Sequence, residues 1–189
     1  MIRADYKDKQ LITNILATSF NDNKSVNYIV KQDGKREQRL RSLMEYSFDV
    51  CHLYGDVFLS DDKKGCALIL LPDKKKSSLK SIWLDLKLIF NCTGLANVSK
   101  AMDREAKIKK LQPKGLLYYL WFIGVNPADQ NKGTGSVLLA EIINEGKSKQ
   151  RTICLETSTL KNLPWYEKFG FKVYNELDLS YKLFFLKKD

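Results

Sequence analysis

Residues Val125 to Leu139 read Val-Asn-Pro-Ala-Asp-Gln-Asn-Lys-Gly-Thr-Gly-Ser-Val-Leu-Leu. An apolar run, Leu116 to Ile123, precedes them, and an amphipathic segment of helical spacing follows. Strand, glycine turn and helix start together form an arrangement in which main-chain N–H groups surround an anion and the helix dipole adds to the attraction. Gly133 and Gly135 permit torsions and a close approach that a side chain would obstruct. Lys132 sets a cation beside them. The spacing suits a phosphate-bearing ligand. It is not that of the nucleotide-binding Gly-x-x-x-x-Gly-Lys-Ser/Thr loop, since Lys132 precedes its glycine. A metal is not expected, because Cys51, Cys66, Cys92 and Cys154 are scattered without a Cys-x-x-Cys pair and His52 is the only histidine.

Periodicity predicts the elements that must hold this turn. Asp8 to Phe20 and Glu37 to Leu53 carry apolar residues at helical spacing, Ile12, Ile15 and Leu16 in the first and Leu40, Leu43 and Phe48 in the second. Asp56 to Ser60 and Gly65 to Leu71 read as strands joined by the polar turn Asp61-Asp62-Lys63-Lys64. Leu116 to Val125 is apolar on both parities, the pattern of a central strand covered on both faces. A helix from Val137 to Lys147, ending near Gly146, should follow the glycine turn. Thr152 to Ser158 reads as a strand, and Leu163 to Phe169 as a short helix stopped by Gly170. Phe171 to Leu177 and Leu179 to Leu186 close the chain as strands. Asp73 to Gly115 is a lysine-rich helical insertion, with helical stretches at Leu79 to Phe90 and Asn97 to Leu111. Its apolar faces need something to cover, and its lysines form the wet side. The alternation predicts an α/β (α+β) fold with a mixed sheet, as one domain over residues 1–189 with the insertion at about 73–115.

Bulk composition narrows the function classes. A chain of 189 residues, 44% hydrophobic and 29% charged, builds a sizeable core and is not disordered. The first twenty residues hold Asp5, Lys7, Asp8 and Lys9 among apolar positions, so a secretory signal is not expected. The apolar runs are too short for a membrane span, and no membrane partner is expected. Four free thiols then fit a reducing cytoplasm. The net charge of +10 is distributed over separate lysine clusters without a helix-turn-helix, zinc-finger or aromatic RNA-binding pattern, so a solvated basic surface is favoured over nucleic acid.

Two motifs in order carry a family resemblance. Gln130-Asn131-Lys132-Gly133-Thr134-Gly135 resembles the Gln/Arg-x-x-Gly-x-Gly/Ala signature of the GNAT acyl-CoA-dependent N-acetyltransferases, with Val125-x-Pro127 just upstream. Downstream, Trp165-Tyr166-Glu167-Lys168-Phe169-Gly170-Phe171 is similar to the family's Tyr-Glu-Lys-x-Gly-Phe block. Leu155-Glu156-Thr157-Ser158 and Asn162 stand where members have a strand and an Asn. The resemblance covers Leu116 to Leu177, about a third of the chain, and the insertion is similar to that of a branch with a long connection there.

The resemblance implies a splayed, mostly antiparallel sheet holding acetyl-CoA as co-substrate in a V-shaped opening. Its pantetheine arm would pair with main-chain groups of Ile123 and Val125, with Gly124 between them also in the cofactor-binding set. Its pyrophosphate would rest on the turn formed by Gln130, Asn131, Lys132, Gly133, Thr134, Gly135 and Ser136, with Asn162 and Tyr166 completing the cofactor set. The family's phenol at the position of Tyr166 protonates the coenzyme A sulfur, which makes Tyr166 a catalytic candidate. Leu116 to Val125 contains no acid, so the base is open among Glu156, Glu45, Asp49 and a water chain, with Glu156 preferred. Tyr46, Tyr54, Tyr118, Tyr119 and Trp121 are candidates to line an acceptor pocket or to pack in the core. The expected acceptor is a small-molecule amine or a peptide. The alternative is a GNAT-fold protein that binds acyl-CoA with little or no catalysis. Terminal strands of such sheets can pair between subunits, so a homodimer is compatible.

Overall fold

In the computed structural model, which describes residues 1–188, seven strands form one sheet. They are β1 (Ile2–Arg3), β2 (Gly55–Leu59), β3 (Gly65–Leu70), β4 (Leu117–Val125), β5 (Thr152–Thr157), β6 (Lys172–Asp178) and β7 (Lys182–Lys188). Their order across the sheet is β1-β2-β3-β4-β5-β7-β6, antiparallel at every junction except the parallel β4–β5 pair. The apolar strand predicted as central is central, with Tyr118 and Leu120 turned to one face and Leu117 and Tyr119 to the other.

Helices cover both faces. On one, α1 (Lys9–Ser19), α2 (Lys24–Ile29), α3 (Arg36–Tyr54) and α4 (Leu79–Leu88) contribute Ile12, Leu16, Val26, Leu40, Phe48 and Leu84 to a core with Leu68, Tyr119 and Phe122. Beyond them α5 (Val98–Leu111) packs Ile108 against Leu183 and Phe185 of β7. On the other face α6 (Thr134–Ser148) and α7 (Leu163–Lys168) bury Leu138, Leu139, Ile142 and Tyr166 against Ala67, Ile69, Leu120 and Leu155. All four cysteines are free and buried, acting as small apolar groups. Among the described residues no helix is long and apolar enough to cross a membrane.

Several expectations are corrected. Strand β1 is two residues long, too short for a periodic signal, and its Arg3 reaches the buried carboxylate of Asp56 at 2.5 Å. Helix α2, one and a half turns long, is started by Asn23, whose side chain accepts from the Val26 N–H at 3.1 Å. The last strand begins at Lys182 instead of Leu179. Within β4 the pairing partners skip from Leu120 to Phe122, so Trp121 is an extra residue. Such a bulge reverses the side-chain alternation beyond it: Phe122 joins the α1 face and Ile123 packs toward α6. The insertion covers less than its composition implies. Leu84 and Ile108 are buried, but Leu79, Ile82, Trp83, Leu86 and Phe90 are exposed.

Helix α6 runs through Gly146 instead of stopping there. A Cβ at Gly146 would sit 2.6 Å from Ile153 Cγ1 and 3.1 Å from Tyr118 Cδ1. Glycine therefore serves close helix–sheet packing and not termination. Gly146→Ala is expected to be destabilising: overpacking costs about 1–3 kcal/mol, which exceeds the ~1 kcal/mol that alanine's helix preference returns. Urea unfolding of the two proteins measures the difference.

Candidate active site

The parallel pair that forms the centre of the sheet is short. Strands β4 and β5 pair only from Leu117–Thr152 to Tyr119–Cys154. Beyond that, β4 continues to Val125 against β3, and β5 continues to Thr157 against β7. The two strands part at the residue before the Trp121 bulge, leaving a wedge between them. Asn126 donates to the Lys64 carbonyl at 2.8 Å, and Gly124 stands opposite Cys66. Antiparallel alternation then turns the main-chain groups of Gly124 toward β3 and those of Ile123 and Val125 toward the wedge. The Val125 carbonyl is taken by Ser19 Oγ at 2.8 Å and by Gln130 Nε2 at 3.1 Å. The Val125 N–H and both main-chain groups of Ile123 have no partner among the described residues. Gly124 is buried for another reason: a Cβ there would meet Leu16 and Ser19 of α1 at 3.1–3.3 Å.

At the mouth of the wedge lies the glycine turn. Pro127–Asp129 forms one 3-10 turn, Asn131 takes a left-handed φ of 62°, and Gly133 a φ of 92°. Helix α6 starts immediately afterwards, three residues before the sequence pattern indicates. The N–H groups of Asn131, Lys132, Gly133, Thr134 and Gly135 donate to no acceptor among the described residues, and Ser136 is the first to bond back, to the Gly133 carbonyl. Five open N–H groups at the positive end of a fifteen-residue helix form a cradle for an anion. At Gly135 the fold itself leaves room for a Cβ, which would stand at ordinary distances, 3.5 Å from Val125 and 3.8 Å from Trp165.

The side chains around this cradle are mostly held by the protein itself. Lys132 folds back onto the Ala128 carbonyl (2.9 Å) and Asp129 (3.1 Å), where Lys64 also pairs with Asp129. The Asp129 carboxyl is held below its ordinary range by Lys132 and Lys64. Thr134 Oγ1 donates to Asp62 at 3.1 Å, tying the turn to the β2–β3 hairpin. Ser136 Oγ accepts from Trp165 Nε1 at 3.0 Å. That last bond joins the two sequence motifs: Trp165 lies inside the second, but no local pattern in the sequence shows where its N–H points.

Tyr166 follows on α7, buried against α6 and Leu155 and within 4.8 Å, ring to ring, of Trp165. Its hydroxyl has no hydrogen-bond partner among the described residues, yet it is not sealed off like Thr13 Oγ1, the one enclosed, unpartnered side-chain polar atom among them. Burial pushes the phenol pKa up, which keeps the proton on the oxygen near neutral pH. Asn162, at the start of α7, is partly buried, and its side-chain amide has no hydrogen-bond partner among the described residues.

Glu156 lies across the sheet. It shares the face of Cys154, toward α1, α3 and α5, whereas Tyr166 is on the α6 face. The Tyr119 hydroxyl donates to Glu156 Oε2 in a short bond, and Gln112 Nε2 donates to Oε1 at 3.3 Å. Burial outweighs these donors and raises the carboxyl to about 7. Neither alternative base is similarly placed. Asp49 is committed to Lys9 at 2.8 Å and the Tyr6 hydroxyl at 2.7 Å, and Glu45 makes a loose pair with Lys87 at 3.8 Å. Of the aromatic candidates, Tyr118 is core beside α6, and Tyr54 bonds the Lys76 carbonyl. Tyr46 donates to Asp85 at 2.7 Å and meets Trp121 edge to face.

Residues 92–173 match the family model of the acetyltransferase (GNAT) domain. Solved structures give the same fold. A Corynebacterium glutamicum structure described as histone acetyltransferase HPA2 and related acetyltransferase superposes at a TM-score of 0.71 with 16% identity, covering 99% of this chain and 93% of the other. The C-terminal condensation domain of Ebony, bound to beta-alanyl-dopamine, gives 0.71 with 14% identity over 99% and 96%. Arabidopsis thaliana Naa50, in complex with the bisubstrate analogue CoA-Ac-MVNAL, gives 0.54 with 13% identity over 100% and 96%. The resemblance carried by the two motifs thus recurs in the GNAT acetyltransferase family model over residues 92–173 and in the fold, a mixed, open α/β sheet.

The raised Glu156 carboxyl has a stability consequence. Its folded value, about 7, lies above the ~4.3 of an unfolded chain, so the fold disfavours the charged form. The wild type therefore loses stability as pH climbs from the unfolded value through 7, and Glu156→Gln does not. Urea midpoints at pH 5 and pH 8 should show the variant gaining relative to wild type at the higher pH.

Proposed function

We propose that the protein transfers an acetyl group from acetyl-CoA to a primary amine of a small molecule or peptide. The observation that carries this reading is the wedge between β4 and β5, with the unpaired groups of Ile123 and the unpaired Val125 N–H leading to the open N–H groups of Asn131 to Gly135. An extended amide-bearing arm fits the strand edge as an added strand would, and a pyrophosphate fits the cradle. Donor chemistry and ligand chemistry match there.

The residues divide the reaction between them. Glu156, titrating near neutrality, accepts the proton that the amine sheds as its nitrogen bonds to the thioester carbon. The unpaired N–H of Ile123 or Val125 donates to the carbonyl oxygen as negative charge gathers on it. Tyr166 gives its proton to the sulfur as the carbon–sulfur bond breaks and recovers one from solvent. The two proton-handling groups lie on opposite faces of the sheet, the arrangement expected if acceptor and cofactor enter from opposite sides.

A second reading is supported by one feature, the absence of any carboxylate on β4. On that reading the domain binds acyl-CoA and catalyses little. A panel of amines with acetyl-CoA, read by release of free thiol, separates the two. Turnover with at least one amine supports transfer, while coenzyme A binding without thiol release across the panel supports the second reading.

Two substitutions test the residues. Tyr166→Phe is expected to slow turnover by more than roughly tenfold with coenzyme A affinity nearly intact; an unchanged rate would remove Tyr166 from the mechanism. Gly135→Val should obstruct the cradle, and calorimetric titration with coenzyme A should then give little heat. Normal binding by that variant would place the cofactor elsewhere.

A further inference from the structure

Helix α4 is apolar on two opposite sides. Ser81, Leu84 and the partly buried Leu88 face the protein, with Leu84 and Leu88 in the core that α3 covers. Leu79, Ile82, Trp83 and Leu86, followed by Phe90 in the next turn, point away from it, with Leu79 89% exposed, Trp83 66% and Phe90 62%. At about 100° per residue these side chains form one outward stripe, and Lys80 and Lys87 lie about 80–100° from its centre. Lys74, Lys75 and Lys76, all exposed, immediately precede the helix. Lys74, Lys75, Lys76 and Lys80 form no salt bridge among the described residues. A surface helix of a soluble domain ordinarily carries its polar residues where α4 carries tryptophan, phenylalanine and leucine.

We propose that α4 is an in-plane docking helix for an anionic lipid surface. An outward apolar stripe with Trp and Phe, edged on one side by Lys80 and Lys87 and preceded by the Lys74–Lys76 run, with Asp85 beyond its other side, is a composition that buries its apolar side at the headgroup boundary while its cations meet acidic headgroups. A second copy of the chain is the less suitable occupant. A two-fold contact through the stripe would bring Lys80, Lys87 and the Lys74–Lys76 run toward their own counterparts, whereas an anionic surface neutralises them. The sequence expectation of no membrane partner rests on the absence of a span, and a helix lying in the interface needs none. The stripe lies outside the wedge residues, so the proposal is independent of the transferase reading.

Co-sedimentation of the full chain with phosphatidylcholine vesicles, with and without phosphatidylserine, tests it. Binding should be at least about tenfold tighter with phosphatidylserine, should weaken with added salt, and should shift Trp emission to the blue. Trp83→Glu changes an exposed residue, so its thermal unfolding should match the wild type while vesicle binding falls by about tenfold or more. The double variant Lys75→Glu, Lys80→Glu should remove the preference for the anionic lipid. The proposal is overturned by absence of binding to both vesicle types, by equal binding to the two, or by a Trp83→Glu variant that binds as the wild type does. It is equally overturned if sedimentation shows a self-associated chain that Trp83→Glu converts to monomer while vesicles are ignored.

Discussion

Everything at the candidate site depends on β4 and β5 ceasing to pair after Tyr119 and Cys154. A parallel pair in mid-sheet normally continues, because each unpaired main-chain group away from water costs free energy. Here each strand keeps its other neighbour, β3 for β4 and β7 for β5, so the sheet holds together while its centre opens. The bulge at Trp121 lies where the parting begins. By reversing the alternation it turns Phe122 onto α1 and Ile123 toward α6, and it lets Gly124 press against Ser19. One extra residue thus decides which side chains pack on the α1 face and which on the α6 face.

Neighbouring charges serve to fix this opening in position. Asp56, buried in β2, takes Arg3 from β1 at 2.5 Å and Lys149 from the end of α6 at 2.6 Å. A buried carboxylate with two cations holds its partners firmly, since losing either leaves charge uncompensated. Lys149 anchors one end of α6, and at the other end Thr134 bonds Asp62 and Ser136 bonds Trp165. The helix bearing the open N–H groups is thereby fastened at both ends, to the hairpin and to α7. Preorganised donors need no rearrangement when an anion arrives, which is the condition for strong binding.

Local chemistry was legible in the sequence, and long-range chemistry was not. The glycine turn, the apolar strand before it and the Tyr166 block each write their structure into adjacent residues, so their elements appear within a few positions of the expected bounds. Gly146 reads as a helix stop in the sequence because a helix-stopping glycine and a close-packing glycine look identical until Ile153 is placed beside it. The bulge at Trp121 leaves no mark in a strand apolar on both parities. Tyr119 and Glu156 are far apart in the chain and meet only because β4 and β5 are parallel neighbours. The exposed stripe of α4 was hidden by its own periodicity, which cannot say which of two apolar sides faces inward.

The strand order at one edge, β5-β7-β6, carries a consequence for how the molecule is made. Strand β7 lies between two strands that precede it in the chain, and β5 has no partner on that side until Lys182–Lys188 is available. On a ribosome, the whole preceding chain emerges while one wall of the wedge is still an open edge. During that interval β5 exposes a row of unpaired main-chain groups, the kind of edge that invites association with other chains. Strand β7 therefore closes both the sheet and the wall on which Glu156 stands, so the wedge lacks one wall until Lys182–Lys188 has joined.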